Sequence, residues 1–344
     1  MTREVVLIRT VAAALVALFL FGACSSEDPT IPAAVPSPTE VPTATKPVCP
    51  LTGKEPPAGV KVERPAVAVK IENSPLARPQ RGLANADLVF EEIVEGGITR
   101  FMAIYHCGAA KDAGPVRSAR FDDPKLARPF TRVIAFSGSN GLVNKELGKR
   151  NMVILNELNQ RGAFFRVPPG AILVHNLFVR TEVLRNDPRV RKVDAPQDDV
   201  FTFGDVPENA KRARRIALHF DASIEIGYRW RGGEWKRFED GPFRTDDGEQ
   251  IAVANVLVQQ VEVNNSSRLV DSAGNPSPKI DLKHGGKALL FRDGRVLKGT
   301  WKAKNGRFVY KMRNGDPFVF APGAIWVELV PSKKGEVKGS IAFR

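Results

Sequence analysis

The sequence predicts an α+β protein, with a mixed α/β N-terminal domain and a smaller, mainly β C-terminal domain. Strand-like and helix-like segments alternate between residues 60 and 205, whereas short β-branched segments separated by turn residues occupy 210–331. Hydrophobic residues make up 43% of the chain and charged residues 26%, which is typical of a globular protein with a core. This composition excludes a disordered protein, a collagen-like fibre and a polytopic membrane protein.

The first residues are typical of a secretory signal peptide, predicted over residues 1–23. Arg3 and Arg9 precede an apolar run at 11–21, which is shorter than the roughly 20 residues that a transmembrane helix needs. Gly22 and Ala23 directly before Cys24 resemble the lipobox of bacterial lipoproteins, in which the cysteine is diacylated, although position 21 is Phe where Leu is usual. We expect lipidation at Cys24; a secreted protein cleaved nearby is the alternative.

Residues 24–48 are predicted to form a lipidated linker rich in Pro, Ser and Thr. Such a segment buries too little apolar surface to fold, and at about 3.1 Å per residue it reaches up to roughly 70 Å. The whole chain has a formal net charge of +13; because residues 1–48 hold three basic and four acidic residues, the remainder of the chain carries about +14. A basic body favours association with polyanions and anionic surfaces.

Cys49 and Cys107 are the two cysteines left once Cys24 is lipidated. Outside the cytoplasm such a pair is most simply a disulfide, which here would tie the start of the folded part to the end of the apolar segment 101–105. A metal site is the alternative, but neither a CxxC motif nor a histidine-rich spacing supports it. We therefore expect a disulfide, no metal and no cofactor.

The N-terminal domain, predicted over residues 49–207, contains strands at 65–72, 132–136 and 171–174. Helices are predicted at 142–149 and at 181–185, the latter with Thr181 as its N-cap. The long apolar segment 87–105 is interrupted by Gly96 and Gly97. This interruption favours a β-hairpin over a single helix that would carry Glu91 and Glu95 on one face.

The C-terminal domain, predicted over residues 208–344, consists mainly of short strands. Turn dipeptides such as Asp293-Gly294 and Asn305-Gly306 separate its apolar segments. The basic segment 209–215 is interpreted as a helix-like or linker-like solvated face between the domains. The chain contains no P-loop, Rossmann fingerprint or GxSxG motif.

The segment 114–120 provides the first candidate site. Arg117 and Arg120 lie three residues apart with Ser118 between them, an arrangement suited to a phosphate or a carboxylate. The alternative is that these arginines pair with structural carboxylates such as Glu91 or Glu95. The candidate catalytic residues are Glu95, Ser118 and His175, and the candidate anion-binding residues are Arg100, Arg117, Arg120 and Asn176.

His175 is the candidate general base. It directly follows the apolar segment 171–174, and active sites of α/β proteins often lie just beyond the end of a buried strand. The alternative is a hydrogen-bonded histidine that holds a loop. The other three histidines, His106, His219 and His284, are scattered without the spacing of metal ligands.

Several motifs resemble the YerB-like lipoproteins of Gram-positive bacteria. They are CPLTG at 49–53, RPQ at 78–80 with GL at 82–83, VEGGITRF at 94–101, GPVRSAR at 114–120, HNLF at 175–178 and, further on, 286–294, GTW at 299–301 and 322–326. The resemblance covers about residues 50–331. Departures are Phe90, where Tyr is common, and Asp122-Asp123, where apolar residues are usual. The resemblance implies a lipid-anchored exported protein with an N-terminal and a C-terminal domain. It implies no settled activity.

Two functions are consistent with these observations. The first is a membrane-anchored extracytoplasmic lipoprotein of the cell envelope, held by a diacylglyceryl group on Cys24, which binds an anionic wall polymer or a wall-synthesis protein, with no nucleic acid as partner. The alternative is a hydrolase or transferase acting on an anionic envelope substrate. In it Arg117 and Arg120 hold the anion and His175 acts as the base, oriented by Asn176 or Glu95.

Overall fold

The computed structural model of the chain describes residues 46–167, 175–208 and 210–344. The predicted signal peptide, Cys24, most of the linker and the predicted strand at 171–174 lie outside the described residues.

Eight strands and three short α-helices are found among the described residues before 208. They are β1 (Val67–Glu72), β2 (Leu88–Val94), β3 (Ile98–Tyr105), α1 (Asp123–Ala127), β4 (Val133–Ala135), α2 (Gly141–Lys149), β5 (Val153–Leu155), β6 (Phe164–Arg166), β7 (Leu177–Val179), α3 (Thr181–Arg185) and β8 (Thr202–Phe203). Single 3₁₀ turns occupy Pro75–Ala77, Leu83–Asn85 and Val190–Lys192.

Only strands follow in the described residues after 208. They are β9 (Lys211–Arg212), β10 (Arg215–His219), β11 (Glu225–Arg231), β12 (Glu234–Phe238), β13 (Ala252–Val253), β14 (Asn255–Val270), β15 (Pro276–Asp281), β16 (Gly286–Arg292), β17 (Arg295–Lys304), β18 (Arg307–Met312), β19 (Val319–Phe320), β20 (Ile325–Pro331) and β21 (Ser340–Phe343). The segment 209–215, interpreted as helix-like or linker-like, thus contributes β9 and the first residue of β10.

One 12-stranded sheet contains strands from both ends of the chain. Its order is β18-β17-β16-β14-β20-β2-β3-β1-β4-β5, with β15 also paired to β14 and β9 to β17. Strand β20 is parallel to both β14 and β2, so the sheet continues across the predicted domain boundary at residue 207. Residues 46–344 form one compact unit.

A second sheet of five strands, β13-β12-β11-β10-β21, packs on the large sheet. Aromatic side chains link the two layers: the Trp235 ring lies 5.8 Å from that of Phe291, and the Phe291 ring lies 5.3 Å from that of Phe343. Both layers contribute to one continuous core of buried apolar residues. Two small two-stranded sheets, β19-β8 and β6-β7, complete the pairing.

The predicted α+β class is wrong, because the protein is largely β. Among the described residues 42% are in strands and 10% in helices. The helices predicted at 142–149 and 181–185 do form, but they are single short elements of nine and five residues. The strands described between them, β5, β6 and β7, have three residues each, so within the described residues the helices build no layer of their own against the sheet.

The predicted β-hairpin at 87–105 is confirmed in detail. Strands β2 and β3 form an antiparallel hairpin in register from Leu88 opposite Ile104 to Val94 opposite Ile98. Gly96 and Gly97 form its turn with φ of 76° and 67°, values that favour glycine.

In α3 the prediction is shifted by one residue. Thr181 is the first helical residue and Arg180 precedes it as the cap. The Thr181 hydroxyl donates to the carbonyl of Ala110 rather than capping the helix.

The predicted disulfide between Cys49 and Cys107 is confirmed, with its two Cα atoms 6.1 Å apart. Cys107 follows the end of β3 by two residues, so the bridge fastens the first described residues to the large sheet. Among the described residues, no helix is both long enough and apolar enough to cross a membrane.

Candidate functional site

Glu72, the last residue of β1, is the carboxylate on which three of the predicted site residues converge. It is almost fully buried and lies directly opposite Arg100 of β3 in the sheet register. The N–H of Arg117 donates to the carbonyl of Lys70 at 3.0 Å, which holds the segment after β3 beside the end of β1. The Arg117 guanidinium therefore contacts Glu72, and Nδ1 of His175 lies 3.4 Å from Oε2 of Glu72.

Glu95 is a second carboxylate centre, next to the β2–β3 turn. Nε of Arg120 donates to its carboxylate at 2.7 Å, and the hydroxyl of Ser277 on β15 donates to the other oxygen. The carbonyl of Ser118 joins the two centres, because it accepts from Nη1 of Arg100 at 3.2 Å and from Nη1 of Arg120 at 3.3 Å. The structure thus brings together Glu95, Ser118, Arg100, Arg117, Arg120 and His175.

Asn176 contacts neither Glu72 nor Glu95 but residues at the end of β6. Its Oδ1 accepts from Nη1 of Arg166 at 2.8 Å, and its Nδ2 donates to the carbonyl of Val167 at 3.1 Å. These bonds connect the residue before β7 with the end of β6. The carboxylate that contacts His175 is therefore Glu72, whereas Asn176 and Glu95 bind other partners.

The cluster around Glu72 and Glu95 contains one more positive than negative charge, and most of its charged groups form ion pairs with one another. Burial lowers the pKa of Arg100 to about 10, with the neighbouring Arg120 adding to the effect and Glu72 opposing it. An arginine with this pKa is still charged at neutral pH. Three guanidinium groups therefore meet the two buried carboxylates of Glu72 and Glu95, which is an arrangement that holds the loop 114–120 against the sheet.

Sequence reasoning missed Glu72, although a signal for it was present. Lys70 and Glu72 are the charged residues of an otherwise apolar strand, and both are fully buried. A charged side chain inside a buried strand needs an ion-pair partner, because an unpaired buried charge is very costly. This argument predicts from the sequence that Lys70 and Glu72 each have an ion-pair partner, although it does not say which residues these are.

Replacing Glu72 with glutamine is expected to lower the free energy of unfolding by about 2 kcal/mol, since buried Arg100 loses its nearest carboxylate and Arg117 its ion pair. The measurement is urea-induced unfolding at pH 7. Glu225→Gln at an exposed position of β11 is the matched control and should leave stability unchanged. Equal stability of both variants would contradict a structural role for this cluster.

A buried lysine forms another cluster on the same sheet. Nζ of Lys70 lies 2.5 Å from Oε1 of Glu92 and 2.8 Å from Oδ1 of Asp123, and all three side chains are fully buried. Burial raises the pKa of Glu92 to about 8, against the opposing effect of Lys70. At neutral pH Glu92 is therefore mainly protonated. The salt bridge between Lys70 and Asp123 then has no net charge.

Arg237 of β12 occupies the interface between the two sheets and is fully buried. Its Nη1 lies 2.8 Å from Oε2 of Glu91 and 3.4 Å from Oε1 of Glu328, and its Nη2 lies 2.7 Å from Oε2 of Glu239. Its guanidinium also lies 5.1 Å from the ring centre of Trp326. Burial raises the pKa of both Glu91 and Glu328, which are in-register neighbours on β2 and β20.

The Lys70 cluster is shielded from solvent, whereas Glu239 of the Arg237 cluster keeps 9% of its side-chain surface and borders a surface cavity. The cations of both clusters are paired with carboxylates of the protein, so both clusters stabilise the fold. Within the described part of the chain, no group of three or more His, Cys, Asp or Glu side chains is arranged to hold a metal ion.

A basic groove is lined by strands of both sheets. It consists of a cavity of about 830 Å³ between β16, β17, the residues after β20 and β21, and a cavity of about 590 Å³ beside β15. Both cavities are lined by Asp281 and His284, which makes them neighbours. We call them together the lysine groove; its basic residues are Lys125, Arg150, Lys279, Lys283, Lys287, Lys302, Lys333 and Lys334.

Most of this positive charge has no carboxylate partner. Lys125 pairs with Asp122 and Arg150 with Glu146. The other six lysines form no ion pair with any residue that the structure describes. Lys287 lies opposite Thr300, two residues from Lys302, so the two lysines are diagonal neighbours about 7–8 Å apart on one sheet face.

Sequence profiles of one family match most of the chain. The family is described as protein of unknown function DUF3048; its N-terminal domain matches residues 51–194 and its C-terminal domain matches residues 216–327. Over 332 residues the chain is 31% identical to YerB of Bacillus subtilis (strain 168), named as a candidate lipoprotein, and the alignment covers 94% of this chain and 95% of YerB.

The fold agrees with that relative. The crystal structure of YerB from Bacillus subtilis matches this structure with a TM-score of 0.73 and 29% sequence identity, covering 86% of this chain and 100% of the YerB chain. The resemblance noted from the motifs is therefore confirmed. The chain belongs to the DUF3048 family of YerB-like proteins.

Proposed function

We propose that the protein is a non-catalytic, membrane-anchored lipoprotein on the outer face of the cell membrane, and that it binds an anionic wall polymer in the lysine groove. The observation that carries this proposal is the set of six lysines without ion-pair partners among the described residues. Unpaired ammonium groups lining a long concave surface attract a chain of phosphates or carboxylates and gain from release of its counterions.

The anchor is supported by the sequence and by the relative. Cys24 lies in a lipobox-like motif after a signal-like segment, and YerB is named as a candidate lipoprotein. Two acyl chains give stable membrane attachment, whereas one gives only marginal binding. An anchored protein with a linker of up to roughly 70 Å would meet polymers of the wall rather than nucleic acid.

The ion pairs of the Glu72 cluster favour binding over the hydrolase or transferase alternative. Arg117 and His175 contact buried Glu72, and Arg120 contacts buried Glu95. Groups that would hold and attack an anionic substrate are therefore engaged with carboxylates of the protein itself. The lysines of the groove have no such competitors.

The test uses the unlipidated chain from Ser25 to Arg344 and fluorescent long-chain inorganic polyphosphate as the probe. Wild-type affinity should fall steeply between about 50 and 200 mM NaCl. The triple variant Lys287→Gln, Lys302→Gln, Lys334→Gln should bind more weakly, and the slope of log Kd against log salt should decrease by about three, one for each lost contact.

The matched control removes the same charge elsewhere. Lys61, Lys111 and Lys192 are exposed and lie outside the groove, so the triple Lys→Gln variant at these positions should bind polyphosphate like the wild type. Salt-insensitive binding, or equal losses in the two triple variants, would contradict the proposal.

A further inference from the structure

A smaller cavity of about 280 Å³ adjoins the lysine groove at helix α2 and differs from it in chemistry. Its walls come from α2 and from the far end of β14, and it shares Phe121, Glu146 and Lys279 with the groove. Its lining combines apolar side chains with cations. We call the set Leu142, Lys145, Lys149, Arg268 and Leu269 the α2 patch.

Helix α2 presents an amphipathic outer face. Leu142, Lys145 and Lys149 are spaced i, i+3 and i+7, so they lie along one side of the helix. All three are exposed, and Leu142 retains 43% of its accessible surface, which is unusual for a large apolar side chain in this protein. The opposite side buries Val143 and Leu147 in the core.

The cations of the α2 patch have no carboxylate partners among the described residues. Lys145, Lys149 and Arg268 form no ion pair there. The one acidic residue of α2, Glu146, is turned inward and accepts from Nε of Arg150 at 3.0 Å. Exposed Leu142 therefore lines one cavity together with three cations that form no ion pair among the described residues.

We propose that the α2 patch docks on the anionic lipid headgroups of the membrane. Cations around an exposed apolar residue are the signature of a surface that lies at the lipid–water interface. Lysine and arginine side chains meet the headgroup phosphates, while Leu142 enters the boundary with the acyl chains. A hydrophilic polymer would make no use of Leu142, which is why a bilayer fits this patch better than the polymer proposed for the groove.

Weak docking is sufficient for an anchored protein. A flexible linker holds the folded part within its own length of the bilayer, so the local concentration of lipid surface is high. Three cations and one leucine would thus orient the body on the membrane without a second permanent anchor. In this orientation the lysine groove, which adjoins the patch, would lie close to the membrane surface.

The experiment is co-sedimentation of the unlipidated chain from Ser25 with vesicles of phosphatidylglycerol and phosphatidylcholine, and with vesicles of phosphatidylcholine alone. We expect binding to the anionic vesicles that weakens with salt, and little binding to the neutral ones. Leu142→Ser should weaken anionic binding about tenfold, because the apolar insertion is lost. Lys145→Gln with Lys149→Gln should weaken it at least as much.

The groove variant Lys287→Gln, Lys302→Gln, Lys334→Gln serves as the matched control. It should keep vesicle binding, and Leu142→Ser should keep polyphosphate binding, so the two proposals can fail separately. The proposed membrane docking of the α2 patch is overturned if the wild type does not bind anionic vesicles at low salt, or if Leu142→Ser binds them like the wild type. It is also overturned if the groove variant loses as much vesicle binding as the α2 variants.

Discussion

Replacing Arg237 with methionine is expected to lower the free energy of unfolding by about 3–5 kcal/mol at pH 7. The arginine is fully buried between the two sheets and is the cation shared by Glu91, Glu328 and Glu239. Methionine fills part of the space but leaves the carboxylates without their common counter-charge. The measurement is urea-induced unfolding, with the slope of free energy against urea compared between the variants.

The pH dependence of this loss has a defined sign. Burial raises the pKa of Glu91 and Glu328 in the native protein, so the native state holds protons that the unfolded chain releases. A raised native pKa contributes stability at low pH that is lost as pH rises. Once Glu91 and Glu328 are protonated they carry no charge for Arg237 to balance. The destabilisation by Arg237→Met should therefore be smaller at pH 5 than at pH 8.

A control on the neighbouring strand separates charge burial from loss of side-chain contacts. Arg229 of β11 is exposed and lies over the Phe238 ring at 4.3 Å, so Arg229→Met removes a surface arginine of the same sheet. It should change stability by less than about 1 kcal/mol. A loss for Arg237→Met that is no larger than this, or that does not vary with pH, would contradict the role given to the buried cluster.

The features that could be predicted from the sequence are those with local signals. The hairpin of β2 and β3 follows from Gly96 and Gly97 between two apolar runs, and the disulfide follows from the number of cysteines. The single sheet that crosses the predicted domain boundary could not be predicted in the same way. It depends on β20, which inserts beside β2 although more than 200 residues separate them, and no local pattern specifies that pairing.

The candidate site likewise has residues that the sequence indicates and residues that it does not. Arg100, Arg117 and His175 are suggested by their residue types and do converge, but on Glu72, the last residue of the largely apolar strand β1. The lysine groove collects residues from several distant segments, so its lysines appear in the sequence as unrelated surface charges. Only the alternation of Lys298, Thr300 and Lys302 on β17 indicates locally that one face of that strand is polar.

Replacing Lys70 with methionine is expected to cost about 3–5 kcal/mol at pH 7, because Asp123 remains buried without its cation. Adding Asp123→Asn should restore much of the loss, since the double variant no longer buries an unpaired charge. The asparagine can still accept from the N–H of Arg120, which now donates to Asp123 at 2.6 Å. Failure of the double variant to recover would show that packing around Lys70, rather than charge, accounts for the loss.

Glu92 provides the independent measurement on this cluster. Its native pKa of about 8, raised from 4.5 mainly by burial, means that the native state keeps a proton which the unfolded chain loses. That contribution is present below the unfolded pKa and is lost as pH rises through about 8. Glu92→Gln cannot titrate, so its stability relative to the wild type should improve from pH 5 to pH 9. Exposed Glu234→Gln should show no such trend, and a flat difference for Glu92→Gln would mean that Glu92 is ionised in the native protein.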